Sequence, residues 1–286
     1  MDINIFNKDA EEFLKQLPDN SIDMSIQSPP YDHLRKYQGA GDDWNFDKFK
    51  AIADQLYRVM KEGSVTVWVV GDATVNGGRT LTCFRQALYF QEIGFLIHDD
   101  MIWQKPTSAR PQSRNSKRYS NIYEHFFILV KGKKIRQDIT LICDKPNKYA
   151  GLGSWGHISD RKSGDDDLIN LNKKIRNIPE FSLRNNIWVC NMANVDGDKE
   201  FKHPAAFSIP LVKDNILSWS VEGDLVLDCF MGSATTAIAC MDTKRRFVGC
   251  ELIDKYYDEM AKPRIMKHMA NEYTLYENTL ENLKHE

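Results

Sequence analysis

Two short stretches of this chain carry residue types whose spacing could do chemistry. In the first, Ser28-Pro29-Pro30-Tyr31 follows an alternating run from Ile22 to Ile26. Consecutive prolines supply no amide donors and hold the backbone extended, which leaves a carbonyl pointing outward. With the Ser28 hydroxyl and the Tyr31 ring, the corner offers two acceptors beside a stacking plate. An exocyclic amino group on a planar base needs that combination, because two acceptors hold its hydrogens, help pyramidalise the nitrogen and free its lone pair. The same four residues also fit a plain strand terminator.

The second stretch runs from Asp224 to Glu251. An apolar run, Leu225-Val226-Leu227, breaks at Asp228 into a small-residue turn (Gly232, Ser233, Ala234) that opens a helix with Thr235, Ala237, Ile238 and Ala239. A second apolar run, Phe247-Val248-Gly249, ends in Glu251, an acid placed to accept two ribose hydroxyls. Gly-Ser-Ala is short of glycine for a pyrophosphate cradle. Two acids with hydroxyls between them suit a cationic ligand bearing a ribose, and S-adenosylmethionine fits that description. Many α/β proteins that bind nothing there share a glycine-bearing turn followed by an acid.

The elements that must position these stretches follow from hydrophobic patterning. Ile3 to Phe6 reads as a strand, followed by a helix on Phe13, Leu14 and Leu17. A second helix carries Phe49, Ile52, Ala53, Leu56, Val59 and Met60 on one face and is expected to end at Gly63. Val65 to Val70 is nearly continuous in apolar residues, as in a strand buried on both faces of a parallel sheet. Leu81 to Ile93 reads as a helix, and Phe95 to Trp103 and Phe126 to Val130 as strands. Five strands thus precede an irregular module at about 133–200, and two follow it. The nucleotide-type turn comes last, whereas it usually follows the first strand. A rotated order of the same parts accounts for this, since permutation is structurally tolerable.

At 286 residues, with 42% hydrophobic and 27% charged residues, the chain suits one large α/β domain with an insert. No apolar run approaches a membrane span, and Met1-Asp2-Ile3-Asn4 has no basic region ahead of a hydrophobic one, so a cytoplasmic protein is expected. The six cysteines are scattered without a Cys-x-x-Cys pair and read as small buried apolar residues, with no metal site. A formal net charge of −2 argues against a generic polycation. Charge is uneven, however: Lys105, Arg110, Arg114, Lys117, Arg118, Lys131, Lys133, Lys134 and Arg136 face only Glu124 and Asp138 between residues 101 and 140. Such a basic face is compatible with a nucleic-acid track or with a solvated loop.

Taken together and in this order, the segments resemble the β-type amino-directed DNA methyltransferases, which modify N4 of cytosine or N6 of adenine. The resemblance covers most of the chain. Besides the two stretches above it includes Leu17 to Asp23, Leu34-Arg35-Lys36-Tyr37, Arg58 to Gly63, Ile102-Trp103-Gln104-Lys105-Pro106, Asn186-Ile187-Trp188 and His203-Pro204-Ala205-Ala206-Phe207. It implies a three-layer Rossmann-like methyltransferase sheet, circularly permuted, with an inserted target-recognition region. Residues 1–132 would form the catalytic part, 133–200 the insert and 201–286 the S-adenosylmethionine-binding part.

The resemblance further implies that Ser28, Pro29, Pro30 and Tyr31 hold the target base. Asp228, Phe230, Gly232, Ser233 and Thr235 would line the methionine side of the cofactor, Glu251 would take the ribose, and Asp9 the adenine amino group. His203 to Phe207 would cover the cofactor. Arg35, Lys105, Arg110, Arg114 and Arg118 would touch double-stranded DNA. Ser at the first corner position tilts the base toward cytosine N4, with adenine N6 as the alternative. The resemblance leaves a cognate restriction endonuclease open as a partner, and homodimerisation is common among similar proteins. The chain departs from the family at Cys229, Ser208 and Ala234, where proline, proline and glycine are common; Ala234 is expected in the first helical turn, where alanine is favourable. Three rivals are a C5-cytosine methyltransferase, a nicotinamide dehydrogenase and a catalytically weak DNA-binding relative. The first needs a Pro-Cys nucleophile that the chain lacks. The second leaves the Ser-Pro-Pro-Tyr corner unexplained.

Overall fold

The structure, a computed structural model, describes residues 2–31, 44–107, 115, 117–148, 150, 178–191 and 207–271. The described residues fall into two compact units, a larger one within Met1–Thr140 and Asn186–Glu286 and a smaller one within Leu141–Asn185.

The larger unit is built on one sheet. Its strands are β1 (Ile3–Asn7), β2 (Ile22–Gln27) and β3 (Met60–Val70), then, after a small hairpin of β4 (Thr74–Val75) and β5 (Gly78–Arg79), β6 (Phe95–Gln104) and β7 (Tyr123–Lys131). The smaller unit contains the antiparallel pair β8 (Lys145–Pro146) and β9 (Phe181–Ser182). The chain then returns to the sheet with β10 (Ile187–Val189), β11 (Leu225–Asp228) and β12 (Arg246–Glu251). The eight sheet strands lie in the order β1-β12-β11-β2-β3-β7-β6-β10, and β7 alone among them runs against its neighbours. Ile187–Val189 falls in the stretch expected to be an irregular insert. Instead it pairs in parallel with Ile102–Gln104, and Trp188 is buried against the sheet core.

Helices cover both faces. On one side lie α1 (Ala10–Gln16), α2 (Phe46–Val59) and α3 (Thr82–Glu92), whose Phe13, Phe49, Leu56 and Phe90 pack with Trp68, Val70 and Leu227 of the sheet. On the other lie α4 (Ile209–Trp219) and α5 (Thr235–Asp242), whose Leu211, Ile216 and Ala237 pack with Ile26, Val67 and Val226. This is the expected three-layer α/β arrangement. The whole of β2 is buried, although its sequence alternates, because both its faces are covered. Arg58 closes the end of α1 by donating to the carbonyl of Leu17 and to that of Leu14, which also accepts from Leu17 N.

The expected helix end at Gly63 is displaced. Helix α2 stops at Val59, and Gly63 lies within β3 at φ +75°, where several residues bulge out between the Ile22–Met60 and Met24–Val65 pairings. Gly249 meets a different demand. A Cβ there would stand 2.6 Å from the Asp228 carbonyl and 2.5 Å from the Phe247 ring, so glycine lets β11 and β12 approach. Four cysteines are buried as expected, but Cys143 is exposed.

Candidate active site

The parallel pairing sets where chemistry can gather. Strands β1, β12, β11, β2, β3 and β6 all end on the same edge of the sheet, where the reversed β7 begins. Crossovers leave β11 toward β12 on one side and β2 toward β3 on the other, which makes the β11–β2 boundary a switch point, the usual ligand crevice of an open α/β sheet. Leu227 pairs with Ser25, so the turn that begins at Asp228 and the corner that begins at Ser28 leave from adjacent strand ends.

On the β11 side, three carboxylates end three neighbouring strands or follow them. Asp228 accepts at Oδ1 from Phe230 N (3.0 Å) and at Oδ2 from Thr236 Oγ1 (2.5 Å). Glu251 accepts from Gly232 N at 3.0 Å and from Ile253 N at 2.9 Å, leaving each oxygen a further lone pair. Asp9 caps α1 by accepting from Glu11 N and Glu12 N, and Lys48 of α2 donates to it at 3.0 Å. Burial raises the Asp228 carboxyl to about 7, against the opposing bonds from Thr236 and Phe230. Burial also raises Glu251, with Ile253 and Gly232 opposing. Buried acids raised by desolvation favour a cationic ligand that restores their charge. Phe230 sets its ring edge-on to Trp44 and Trp68, which closes the turn on its apolar side.

The turn differs from expectation at Ala234. It sits at φ +62°, ψ +33°, in the left-handed region, as the residue before α5, and not in the first helical turn. The chain must reverse sharply between Gly232 (φ +50°) and Thr235, and glycine's freedom would serve there. Arg264 holds the strained segment from outside by donating to Ser233 O, Ser233 Oγ and Thr235 Oγ1.

On the β2 side, Ser28 Oγ donates to Tyr31 Oη at 2.9 Å, and Tyr31 Oη donates to Glu124 Oε2 at 2.9 Å. The Tyr31 ring is 8% exposed and lies over Gly71, where an added Cβ would come within 3.3 Å of it. Immediately before the corner, Gln27 is fully buried, and neither amide atom is hydrogen-bonded among the described residues.

The corner and the turn therefore leave one edge from adjacent strands, Asp228, Phe230, Gly232, Ser233 and Thr235 following β11 and Ser28, Pro29, Pro30 and Tyr31 following β2, with Glu251 one strand and Asp9 two strands further along. Phe207 is half-buried against the core just before α4. Lys105, expected at DNA, pairs with Glu124 and lies 4.7 Å from the Trp103 ring centre. Part of the basic run is likewise engaged internally: Lys131 donates to Asn20 and Met60, and Arg136 bridges Asp138 and Asp224. Arg118 is exposed and donates to the Gly77 carbonyl. Arg35, Arg110, Arg114 and His203 to Ala206 lie outside the described residues. Sequence reasoning missed Glu124, Lys48 and Arg264 as parts of the site, and only their tertiary partners reveal them.

Residues 22–262 match the family model described as DNA methylase, of the N6/N4 type. The orphan methyltransferase M.BamHII of Bacillus amyloliquefaciens is 40% identical over 258 residues, which cover 89% of this chain and 92% of that one. Among solved structures, the cytosine-N4-specific PvuII DNA methyltransferase aligns with a TM-score of 0.65 at 19% identity, over 94% of this chain and 91% of that one. The M1.HpyAVI–SAM complex aligns with a TM-score of 0.59 at 22% identity, over 92% and 98%. These two likenesses show a shared Rossmann-like methyltransferase fold. With a family model over most of its length and a close relative matched nearly end to end, the chain belongs to the N6/N4 DNA methylases, enzymes that use S-adenosylmethionine to methylate amino groups of DNA bases.

Proposed function

We propose that this protein transfers a methyl group to N4 of a cytosine extruded from double-stranded DNA at a specific site. The observation that supports the reading is the Leu227–Ser25 pairing, by which the corner assigned to the amine and the turn assigned to the cation leave adjacent strands. Asp228, Phe230, Gly232, Ser233 and Thr235 would hold the methionine side of S-adenosylmethionine, Glu251 its ribose and Asp9 its adenine, with Phe207 over it. The donor set fits the group: buried acids face a cation, and Glu251 keeps lone pairs for hydroxyls. Bound S-adenosylmethionine supplies a methyl group already activated by its sulfonium.

The chain's own residues do the rest. Ser28 Oγ and the Pro29 carbonyl accept from the amino hydrogens and aim the nitrogen, Pro30 keeps the corner rigid, and Tyr31 replaces stacking lost on extrusion. Extrusion costs a few kcal/mol, and positioning supplies most of the acceleration. Arg118, with Arg35, Arg110 and Arg114, would meet phosphates, and the 133–200 region would read sequence. Lys105 leaves that set because it serves Glu124. The serine at the first corner position favours cytosine over adenine N6. Modification of this kind would protect host DNA from an endonuclease of the same specificity. Methylation-sensitive sequencing of host DNA with and without the protein tests the reading. N4-methylcytosine at one motif supports it, N6-methyladenine moves the base assignment, and no new modification overturns it.

A further inference from the structure

The hydroxyl pair at the corner ends on a carboxylate held from its far side. Ser28 donates to Tyr31 and Tyr31 to Glu124 Oε2, while Glu124 Oε1 accepts from Lys105. Glu124 is 9% exposed and sits near the start of β7, the one strand whose N-terminus reaches this edge. A carboxylate accepts at both oxygens and donates at neither. Tyr31 must therefore give its hydrogen to Glu124, its oxygen is left to accept, and the Ser28 hydrogen points toward it. Ser28 Oγ then turns lone pairs to whatever enters the corner. That polarity suits an amino group and repels a carbonyl.

We propose that Glu124 is a positioning residue that fixes the polarity of the Ser28 hydroxyl, and with it the preference for an amino-bearing base over its carbonyl counterpart. The proposal rests on the reading that Ser28 holds the target amine. Glutamine cannot replace Glu124 in this role, although it has the same shape. Its single carbonyl oxygen is claimed by the Lys105 ammonium, so its NH2 would face Tyr31. The chain would then run backwards, with Tyr31 donating to Ser28 and Ser28 donating into the pocket.

The test compares two duplexes bound by the protein with S-adenosylhomocysteine, identical except that the mapped target cytosine is uracil in one, each target facing an abasic site so that neither base must be unpaired. If mapping finds adenine, hypoxanthine takes the place of uracil. The wild-type protein should favour the amino base, and Glu124→Gln should lose about tenfold of that preference, one hydrogen bond's worth. Affinity for S-adenosylmethionine should change less than about twofold, since the described bonds of Glu124 go to Tyr31 and Lys105 and not to the residues assigned to the cofactor, while single-turnover methylation slows by about tenfold or more. Tyr31→Phe cuts the chain and should lose the same preference. Adding Glu124→Gln to Tyr31→Phe should change it no further, whereas a merely structural role would be additive. Full preference in Glu124→Gln, or additive losses in the double variant, overturns the proposal. Should Glu124→Gln fail to fold, retained preference in Tyr31→Phe overturns it and lost preference supports it. A wild-type protein that methylates no DNA amine refutes the proposed function itself, which is a separate result.

Discussion

Arg264 Nη1 donates to Thr235 Oγ1 at 2.9 Å and, from the same nitrogen, to the Ser233 carbonyl at 2.9 Å. Arg264, in the helical stretch 262–271, thereby clamps the turn assigned to the cofactor. Arg264→Ala would strand a buried carbonyl and two hydroxyls. Charge-assisted bonds of this kind contribute about 1.5–3 kcal/mol, so urea unfolding should show a loss of that size together with weaker S-adenosylmethionine binding. A variant with unchanged unfolding midpoint and cofactor affinity would show that the clamp holds nothing.

Ala234 sets backbone strain against side-chain burial. Left-handed backbone costs a non-glycine residue about 1–2 kcal/mol, while deleting its buried methyl forfeits about 0.8 kcal/mol. Strain outweighs burial, so Ala234→Gly should raise stability by roughly 0.5 kcal/mol. A clear loss in the same unfolding experiment would mean that the methyl's packing matters more than the strain.

Among the described residues, Gln27 keeps a whole amide buried without a hydrogen bond. Methionine has nearly the same shape and no such requirement. Gln27→Met should stabilise the cofactor-free protein by about 1 kcal/mol, the lower end of the cost of stranding a buried polar group. A drop in thermal midpoint would instead reveal a partner for the amide.

Much of this site is legible in the sequence. The run Val65–Val70 is apolar except for Thr66 because both its faces are covered, and the pair Asp228 and Glu251 marks two strand ends by type and spacing alone. Glu124 is not legible, because 93 residues separate it from Tyr31 and only the β3–β7 pairing brings the two together. The pairing of Lys105 is hidden for the same reason: its charge is visible in sequence, and its buried partner is not. The conformation of Ala234 escapes a sequence reading because alanine is a good helix former, and the geometry of the turn overrides that propensity.

Stability should also carry the signature of Asp228. Its carboxyl, raised by burial to about 7 in the folded protein, titrates near 3.9 when unfolded. Between those values the folded state holds a proton that the unfolded state lacks. The associated stability is full below about pH 4 and is lost as pH rises through 7, a change of a few kcal/mol. Asp228→Asn should flatten this slope relative to wild type in urea titrations across pH 4 to 7.5. Parallel curves for the two proteins would show that Asp228 is not the group responsible.

The most direct measurement takes Ser28→Ala through single-turnover methylation of DNA and, separately, titration with S-adenosylmethionine. An acceptor that holds the target amine predicts a rate loss of about tenfold or more with cofactor affinity unchanged. Equal losses in both, or a full rate, would contradict the assignment of the corner to the base.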